Sequence, residues 1–325
     1  MFKPLQLFFV VALGFGAWYF FTHFRVQGWQ DLRIEPAADP AGAGAWQAGQ
    51  TGSATAPSGR KTIRIASANF GPLDRSKLSK PAVAAHLAAI CRQFEVVALQ
   101  DVAARDQGLL VQLVELVNAP GRHYNFVTPP QVGRDSLERY SALVFDADAV
   151  QVDRSSAALV ADRTGQFLHP PLVASFRALG PAENEAFTFT LVNVHTPADR
   201  AAAELELLAA VFRAVRDSGR GEDDVILLGE IGTDETRLGP LARLPNMLCA
   251  ISGLPTTTQG GRQVDNILFD RRATIEFAHR SGVYDLMREL NLSAREAAEI
   301  SDHLPVWAEF SVYEGGQAGH VAAAR

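Results

Sequence analysis

Acidic, imidazole and amide side chains recur in this chain where apolar runs begin or stop. Residues 225–229 read Val-Ile-Leu-Leu-Gly and are followed by Glu230, with Asp234 beyond a glycine at 232. The same arrangement gives Asn69 after the alternating run 62–66, Asp101 after Val-Val-Ala-Leu-Gln at 96–100, and His195 after the 187–194 run. Asp265 stands in the apolar run 264–269, and Asp302-His303 precedes the run 306–312. Carboxylates so placed can hold a hard cation or move protons, imidazoles can shuttle protons near neutral pH, and a carboxamide can orient either. Taken singly, each has an ordinary structural reading: Asn turns a chain at a strand end, and Asp-His caps a turn. What sets this chain apart is their recurrence at the strand ends, where ligands collect in α/β proteins.

The intervening residues must position these groups. Branched and aromatic runs predict strands at 62–66, 96–99, 124–127, 141–145, 150–152, 172–177, 187–195, 225–229, 264–269 and 306–312. Helical spacing marks three longer helices. The first is capped by Ser79 with Pro81 in its first turn, the second spans 107–118, and the third spans 201–216 with a stripe of Leu205, Leu208, Val211, Phe212 and Val215. Two short helices are expected within 281–300. Strands outnumber helices, and those between 124 and 195 lack intervening helices, which disfavours a simple doubly wound sheet. Two mixed sheets packed together with helices outside, in one domain of about 250 residues, fit better.

Bulk properties narrow the chemistry. Of 325 residues, 47% are hydrophobic and 20% charged, enough apolar material for a substantial core. A net charge of −6 argues against clinging to polyanions by bulk charge, although an active-site metal can supply positive potential locally. Cys91 and Cys249 each lie among apolar residues and read as buried thiols rather than a disulfide or zinc cluster.

The ends of the chain differ from its middle. Residues 5–24 carry no Asp, Glu, Lys or Arg, a length of about 20 residues that suits a hydrocarbon core of ~30 Å. We read residues 1–25 as an uncleaved single-pass transmembrane anchor or signal-anchor, because no small-residue cleavage site follows closely. An extracytoplasmic location of the domain is the expectation. Residues 26–61 form an Ala/Gly/Pro-rich flexible linker, whose 36–59 stretch would span roughly 25–30 Å as a coil. The folded domain covers 62–313, and a disordered tail covers 314–325.

The ordered series of motifs resembles the endonuclease/exonuclease/phosphatase superfamily, and within it deoxyribonuclease I most. The matching pieces are Ala68-Asn69-Phe70 with Lys77-Leu78-Ser79, then Val97 to Val102, then Gly133-Arg134 with Glu138-Arg139-Tyr140. They continue as Val192-Asn193-Val194-His195-Thr196-Pro197, Leu228-Gly229-Glu230, Val264-Asp265-Asn266-Ile267 and Ser301-Asp302-His303-Leu304-Pro305. The resemblance implies a four-layer α/β sandwich and metal-assisted hydrolysis of a phosphate ester, with Mg²⁺, or else Mn²⁺ or Ca²⁺, as cofactor. It also implies roles. Asp101 and Asn69 would serve the metal with help from Asp302; Asp265 would orient His303 and Glu138 would orient His195; Glu230 would act in catalysis; Arg134 would contact the substrate phosphate.

Four positions depart from the family's pattern. Asp101 replaces a Glu, Glu230-Ile231-Gly232 replaces Asp-x-Asn, and Ala103 replaces an Arg that enters the DNA minor groove. A Tyr with a similar groove role is matched only by Leu137, in a shorter loop. Gly232 removes an amide, and losing one such donor typically costs about 10²–10³-fold in rate. The expectation is therefore a membrane-tethered, metal-dependent phosphodiesterase or nuclease with a modified, impaired site, acting on a phosphodiester other than double-stranded DNA. One alternative is a non-catalytic binding or scaffold relative that keeps the fold. Another is a phosphoesterase for lipid or sugar phosphates.

Overall fold

Runs of branched and aromatic residues cannot leave their backbone polar groups unpaired once buried, so they pair into sheets. In the computed structural model, which describes residues 33–34, 59–103, 108–129, 138–162, 164–218 and 222–319, two sheets result. The first has seven strands in the order β1(Arg33–Ile34), β6(Val150–Ala161), β7(Leu172–Ala178), β8(Thr188–His195), β9(Val225–Glu230), β11(Asp265–Asp270), β10(Met247–Cys249). The second has six, in the order β12(Phe277–Val283), β13(Val306–Ser311), β2(Thr62–Leu73), β3(Val96–Ala103), β5(Arg139–Asp146), β4(Tyr124–Val127). Both are mixed: β8 runs parallel to β9 and β2 parallel to β3, the other pairs being antiparallel.

The period of two along each strand divides the core into layers. Ile63, Ile65, Val96, Ala98, Leu143 and Phe310 of one sheet meet Phe189, Leu191, Ile226, Leu228, Ile267 and Phe269 of the other. The alternate residues face helices. Val192, Val194, Val225 and Leu227 pack against Leu205, Leu208 and Phe212 of α4(Ala201–Arg216). Ala66, Ala68, Val97 and Leu99 pack under α2(Pro81–Cys91) and α3(Leu109–Asn118), with α5(Leu286–Glu289) and α6(Ala294–Ile300) beside them. This is the four-layer α/β sandwich expected from the sequence.

Several local readings are corrected. Ser79 does not cap α2; it ends a preceding single turn, α1(Arg75–Leu78), which Asp74 caps through Lys77 N, and Pro81 opens α2 after an uncapped Lys80. Strands β10 and β12 have no clear apolar alternation and were not expected. Arg33 and Ile34, inside the expected flexible linker, pair with Ala161 and Val160 on the edge of β6. The expected disordered tail begins instead as a 3-10 turn, Glu314–Gly316, whose first amide donates to Glu185 O at 2.9 Å. The expected anchor, residues 1–25, lies outside the described residues; among those, no helix is long and apolar enough to cross a membrane. Cys91 is buried and Cys249 half-buried, both as free thiols.

Candidate active site

Strand pairing alone brings three of the sequence candidates into one row. The parallel register of β8 and β9 sets His195 beside Glu230, and the antiparallel register of β9 and β11 sets Glu230 beside Asp265. Gly229 makes the first of these pairings possible. Its φ is +146°, and a Cβ there would meet Val194 O at 1.9 Å. On the facing sheet, β2 and β3 lose register at the same end, between Asn69 and Leu73 and between Leu99 and Val102. Bulges of this kind re-aim side chains beside functional sites. Here they turn out Asn69 and Asp101, the latter at a φ of +56°.

The carbonyls and amides released by the bulges find partners across the sandwich. Asn193 Nδ2 of β8 donates to Leu99 O and Ala142 O, both at 3.0 Å, and Gln100 Nε2 donates to Asn193 Oδ1 at 2.7 Å. Ser301 Oγ donates to Asn69 O at 2.7 Å and accepts from His303 N at 2.9 Å, so the loop before β13 is stapled to β2.

These constraints converge on one oxygen. Glu230 Oε2 accepts from Asn69 Nδ2 at 2.8 Å and lies 3.4 Å from His195 Nε2 and 3.8 Å from His303 Nε2. Burial by itself would raise the Glu230 pKa. The His195 hydrogen bond, the charges of both imidazoles and the Asn69 amide outweigh it and hold the carboxyl below the usual range. The second face of His303 is fixed by a carboxylate, with Nδ1 2.9 Å from Asp265 Oδ2. That oxygen also accepts from Thr256 Oγ1 at 2.8 Å, whose own oxygen accepts from the Val264 and Asp265 amides. Burial opposes a charged His303, but the Asp265 hydrogen bond and charge prevail and lift its pKa to about 9. At neutral pH His303 is a cationic imidazole; burial raises the pKa of its partner Asp265, and the His303 hydrogen bond and charge oppose this.

The remaining candidates are distributed unevenly. Asp101 reaches the rim of the site, with Oδ1 3.5 Å from Arg139 Nε. Burial raises its pKa, Arg139 and His195 oppose this, and the Glu230 carboxylate adds to it. Asp302 is exposed, in the field of Lys77, whose Nζ donates to Phe70 O and to Ile300 O. Glu138 does not orient His195: it is exposed just before β5, and Glu230 is the carboxylate that faces the ring. Asp234 turns away from the site to cap a 3-10 turn through Thr236 N. Arg134 lies outside the described residues.

Sequence reasoning missed His169. Its ring stacks on His195 with centroids 4.3 Å apart and planes 4° from parallel. Burial, then the neighbouring His195, push its pKa down to about 4, so it is a neutral backing plate at physiological pH. The loop that carries it is tied down by the buried Glu204 of α4, which accepts from Leu168 N at 3.0 Å and from Thr196 Oγ1 at 2.8 Å. An apolar helix stripe with Glu204 on its inner side was the one available signal. Arg139 and Thr256 were missed as well, since both act through pairings across the sheet or loop.

The similarity to known proteins accords with this geometry. No family model matches the chain. Human deoxyribonuclease-1-like 2 is 26% identical over 277 residues, covering 76% of this chain and 92% of that protein. A crystal structure of an endonuclease/exonuclease/phosphatase family protein from Bacteroides thetaiotaomicron superposes with a TM-score of 0.53 at 15% identity, covering 77% and 97% of the two chains. A mannosyl-6-phosphatase from the same organism gives 0.52 at 14%, covering 76% and 98%. By sequence this chain is similar to deoxyribonucleases, and its fold is that of endonuclease/exonuclease/phosphatase family proteins.

The departures from the superfamily pattern now have a geometry. Glu230 fills its place with a longer side chain that still reaches Asn69 and both imidazoles. Gly232 is different in kind. Its φ is +75°, and a Cβ would lie 2.6 Å from Thr196 O and 2.9 Å from the Pro197 carbonyl. The backbone there has closed over the space that a side chain at this position would need. Ala103 ends β3 opposite Arg139, so a guanidinium does occupy this corner, supplied by the neighbouring strand.

The donor set suits a hard cation: two carboxylates, Asp101 and Glu230, that repel each other, with the Asn69 amide alongside. A hard divalent cation of this kind takes one or two carboxylates together with water and substrate phosphate, and Asn69 supports the pair through Nδ2 on Glu230 while its Oδ1 accepts from Gly71 N at 2.9 Å.

Proposed function

We propose that the chain is a divalent-metal-assisted phosphodiester hydrolase whose phosphate corner has been rebuilt around Glu230. The observation that carries this reading is the convergence on Glu230 Oε2 of Asn69, His195 and the Asp265-bound His303. A bound Mg²⁺, held by Asp101 and Glu230 with Asn69 beside them, would supply charge stabilisation for the phosphoryl oxygens. His303, cationic and locked by Asp265, binds a phosphoryl oxygen and gives its Nε2 proton to the departing alkoxide as the P–O bond breaks. His195, held between Glu230 and the His169 ring, takes the proton of the attacking water as the new P–O bond forms. Asn69 fixes the Glu230 carboxylate so that it stays ionised throughout.

The substrate is a phosphodiester other than long duplex DNA. The net charge of −6 and Ala103, where the family has a groove-entering Arg, support this. Beside the site a groove of about 840 Å³, lined by residues including Gly232, Thr233, Arg237, Leu254 and Arg262, offers room for one flank of such a substrate. Residues 1–25 act as a membrane anchor in this reading and hold the domain outside the cytoplasm.

The test uses the full chain with Mg²⁺ or Mn²⁺ on single-stranded DNA, RNA, duplex DNA, a phospholipid diester and an activated phosphodiester. Turnover is expected on at least one, reduced at least about 10²-fold by His303→Ala or Glu230→Gln. Equal rates in wild type and both variants would overturn the reading in favour of a binding module. Carbonate extraction of membranes tests the anchor: wild type stays in the pellet, and Val10→Asp with Leu13→Asp releases it.

A further inference from the structure

Two carboxylate clusters that share Asp224 lie at the far end of the molecule from Glu230, Glu222–Asp223–Asp224 and Asp224–Glu276–Glu314. Asp224 immediately precedes β9, Glu276 precedes β12, and Glu314 follows β13. Glu230 closes β9 at its other end, and β9 is six residues long, so about 20 Å separate the two ends. One carboxylate oxygen from each of Asp224, Glu276 and Glu314 lies within 4.8 Å of the others. Asp224 and Glu276 are 1% and 2% exposed, and neither forms a salt bridge among the described residues.

Burying such groups is costly unless something compensates them. The protein does so only in part. Gly315 N donates to Glu276 Oε1 at 2.6 Å, Thr188 N to Glu314 Oε2 at 3.4 Å, and the Asp224 amide is held by Glu222 Oε1 at 2.8 Å. Asp224 Oδ1 and Glu276 Oε2 remain buried without a hydrogen-bond partner. A third orphan comes from outside the acidic set: the Thr274 hydroxyl, 1% exposed, lies against the Asp224 carboxyl and has no partner in hydrogen-bond geometry. Three buried oxygens without a hydrogen-bond partner thus belong to this cluster or lie against it.

We infer that Asp224, Glu276, Glu314 and Thr274 form a second, structural site for a calcium-sized divalent cation, clipping the two sheets together opposite the catalytic end. Calcium takes six to eight oxygens at about 2.3–2.6 Å, so opposed ligands stand roughly 4.6–5.2 Å apart, the spacing this cluster provides. The donors are all oxygens, and their irregular set suits calcium better than the strict octahedron of magnesium. Asp224 belongs to the seven-stranded sheet and the other two carboxylates to the six-stranded one, so the ion would bridge the layers directly. The competing arrangement is proton sharing: without a cation, burial and mutual repulsion push Asp224 up to about 10 and Glu276 to about 7.

The full chain, stripped with EDTA, is titrated with CaCl₂ while its thermal unfolding is followed. At a hundredfold excess over the dissociation constant, wild type should gain about 5–10 °C. Glu230→Gln, altered only at the catalytic end, should gain the same, while Asp224→Asn and Glu276→Gln should gain little. Terbium provides a reading that does not depend on stability. Tyr313 adjoins Glu314, so sensitised terbium emission should appear in wild type and vanish in Tyr313→Phe and in Glu314→Gln, whose half-exposed site tolerates substitution. Undiminished calcium stabilisation in Asp224→Asn would overturn the inference. So would no calcium effect in wild type combined with a calcium-independent rise in Asp224→Asn, the outcome that proton sharing requires.

Discussion

A single carboxylate oxygen organises the chemistry at the scale of residues. Glu230 Oε2 is anchored by an amide and faced by two imidazoles, one of them made cationic by Asp265. This pair carries a stability signature. A histidine whose folded pKa is raised stabilises fully below its unfolded value of about 6.5 and loses that contribution as pH climbs through the folded value, about 9 here. Wild type should therefore lose on the order of 1–3 kcal/mol between these limits. In His303→Asn that slope should flatten, as denaturant titrations at pH 6, 7.5 and 9 would reveal. Gly232 gives the opposite kind of prediction. Restoring the family's Asn should not restore a phosphate ligand, because its Cβ would press on Thr196 O. Gly232→Asn should cost about 1–3 kcal/mol of stability and lower activity rather than raise it; a faster, equally stable variant would refute this account.

Elements decide whether those residues meet. The registers of β8, β9 and β11 create the His195–Glu230–Asp265 row, while the bulges in β2 and β3 aim Asn69 and Asp101 at it from the other sheet. Asn193 supports the β3 bulge from across the core without touching substrate. Asn193→Leu should remove the Asn193 Nδ2 bonds to Leu99 O and Ala142 O and the Gln100 bond to Asn193 Oδ1, costing about 2–4 kcal/mol. It should also lower kcat by displacing Asp101, and a thermal scan beside a steady-state assay would separate the two effects. Much of this was legible in the sequence. Continuous branched runs announced β3, β8, β9 and β11, and polar residues at their ends announced the site. What escaped notice depends on partners far away in the chain. Strand β12 contains His279, Ser281 and Gly282 and owes its strand to the edge of β13, and His169 sits in a loop held by Glu204 of the distant helix α4 and by Arg200 at its N-terminal edge. Glu138 failed for the same reason in reverse: the family resemblance implied a pairing with His195, whose ring instead faces Glu230 through the sheet.

Across the whole molecule, the sandwich has a catalytic end and an opposite end with its own buried acidic cluster, joined by strands about 20 Å long. The calcium reading concerns the stability of this assembly and leaves the chemistry at Glu230 untouched. The edge of the seven-stranded sheet adds a third point of reference. Strand β1 pairs with Val160 and Ala161, which lie at the catalytic end because Leu159 aligns through Leu172 with Asn193. Backbone amides held this way should exchange slowly, so hydrogen exchange at Ile34 should be markedly slower than at Lys61, and equal rates would argue against the pairing.

That two-residue strand also sets the swing of the domain about any upstream anchor. A linker of residues 26–61 left free could let the domain roam, but fastening Arg33 and Ile34 to the sheet leaves only seven residues, or eight Cα–Cα steps, between Arg25 and Arg33. Fully extended, they reach about 28 Å. An anchored molecule would then hover with its active end close to the lipid surface, sampling a thin shell of solution.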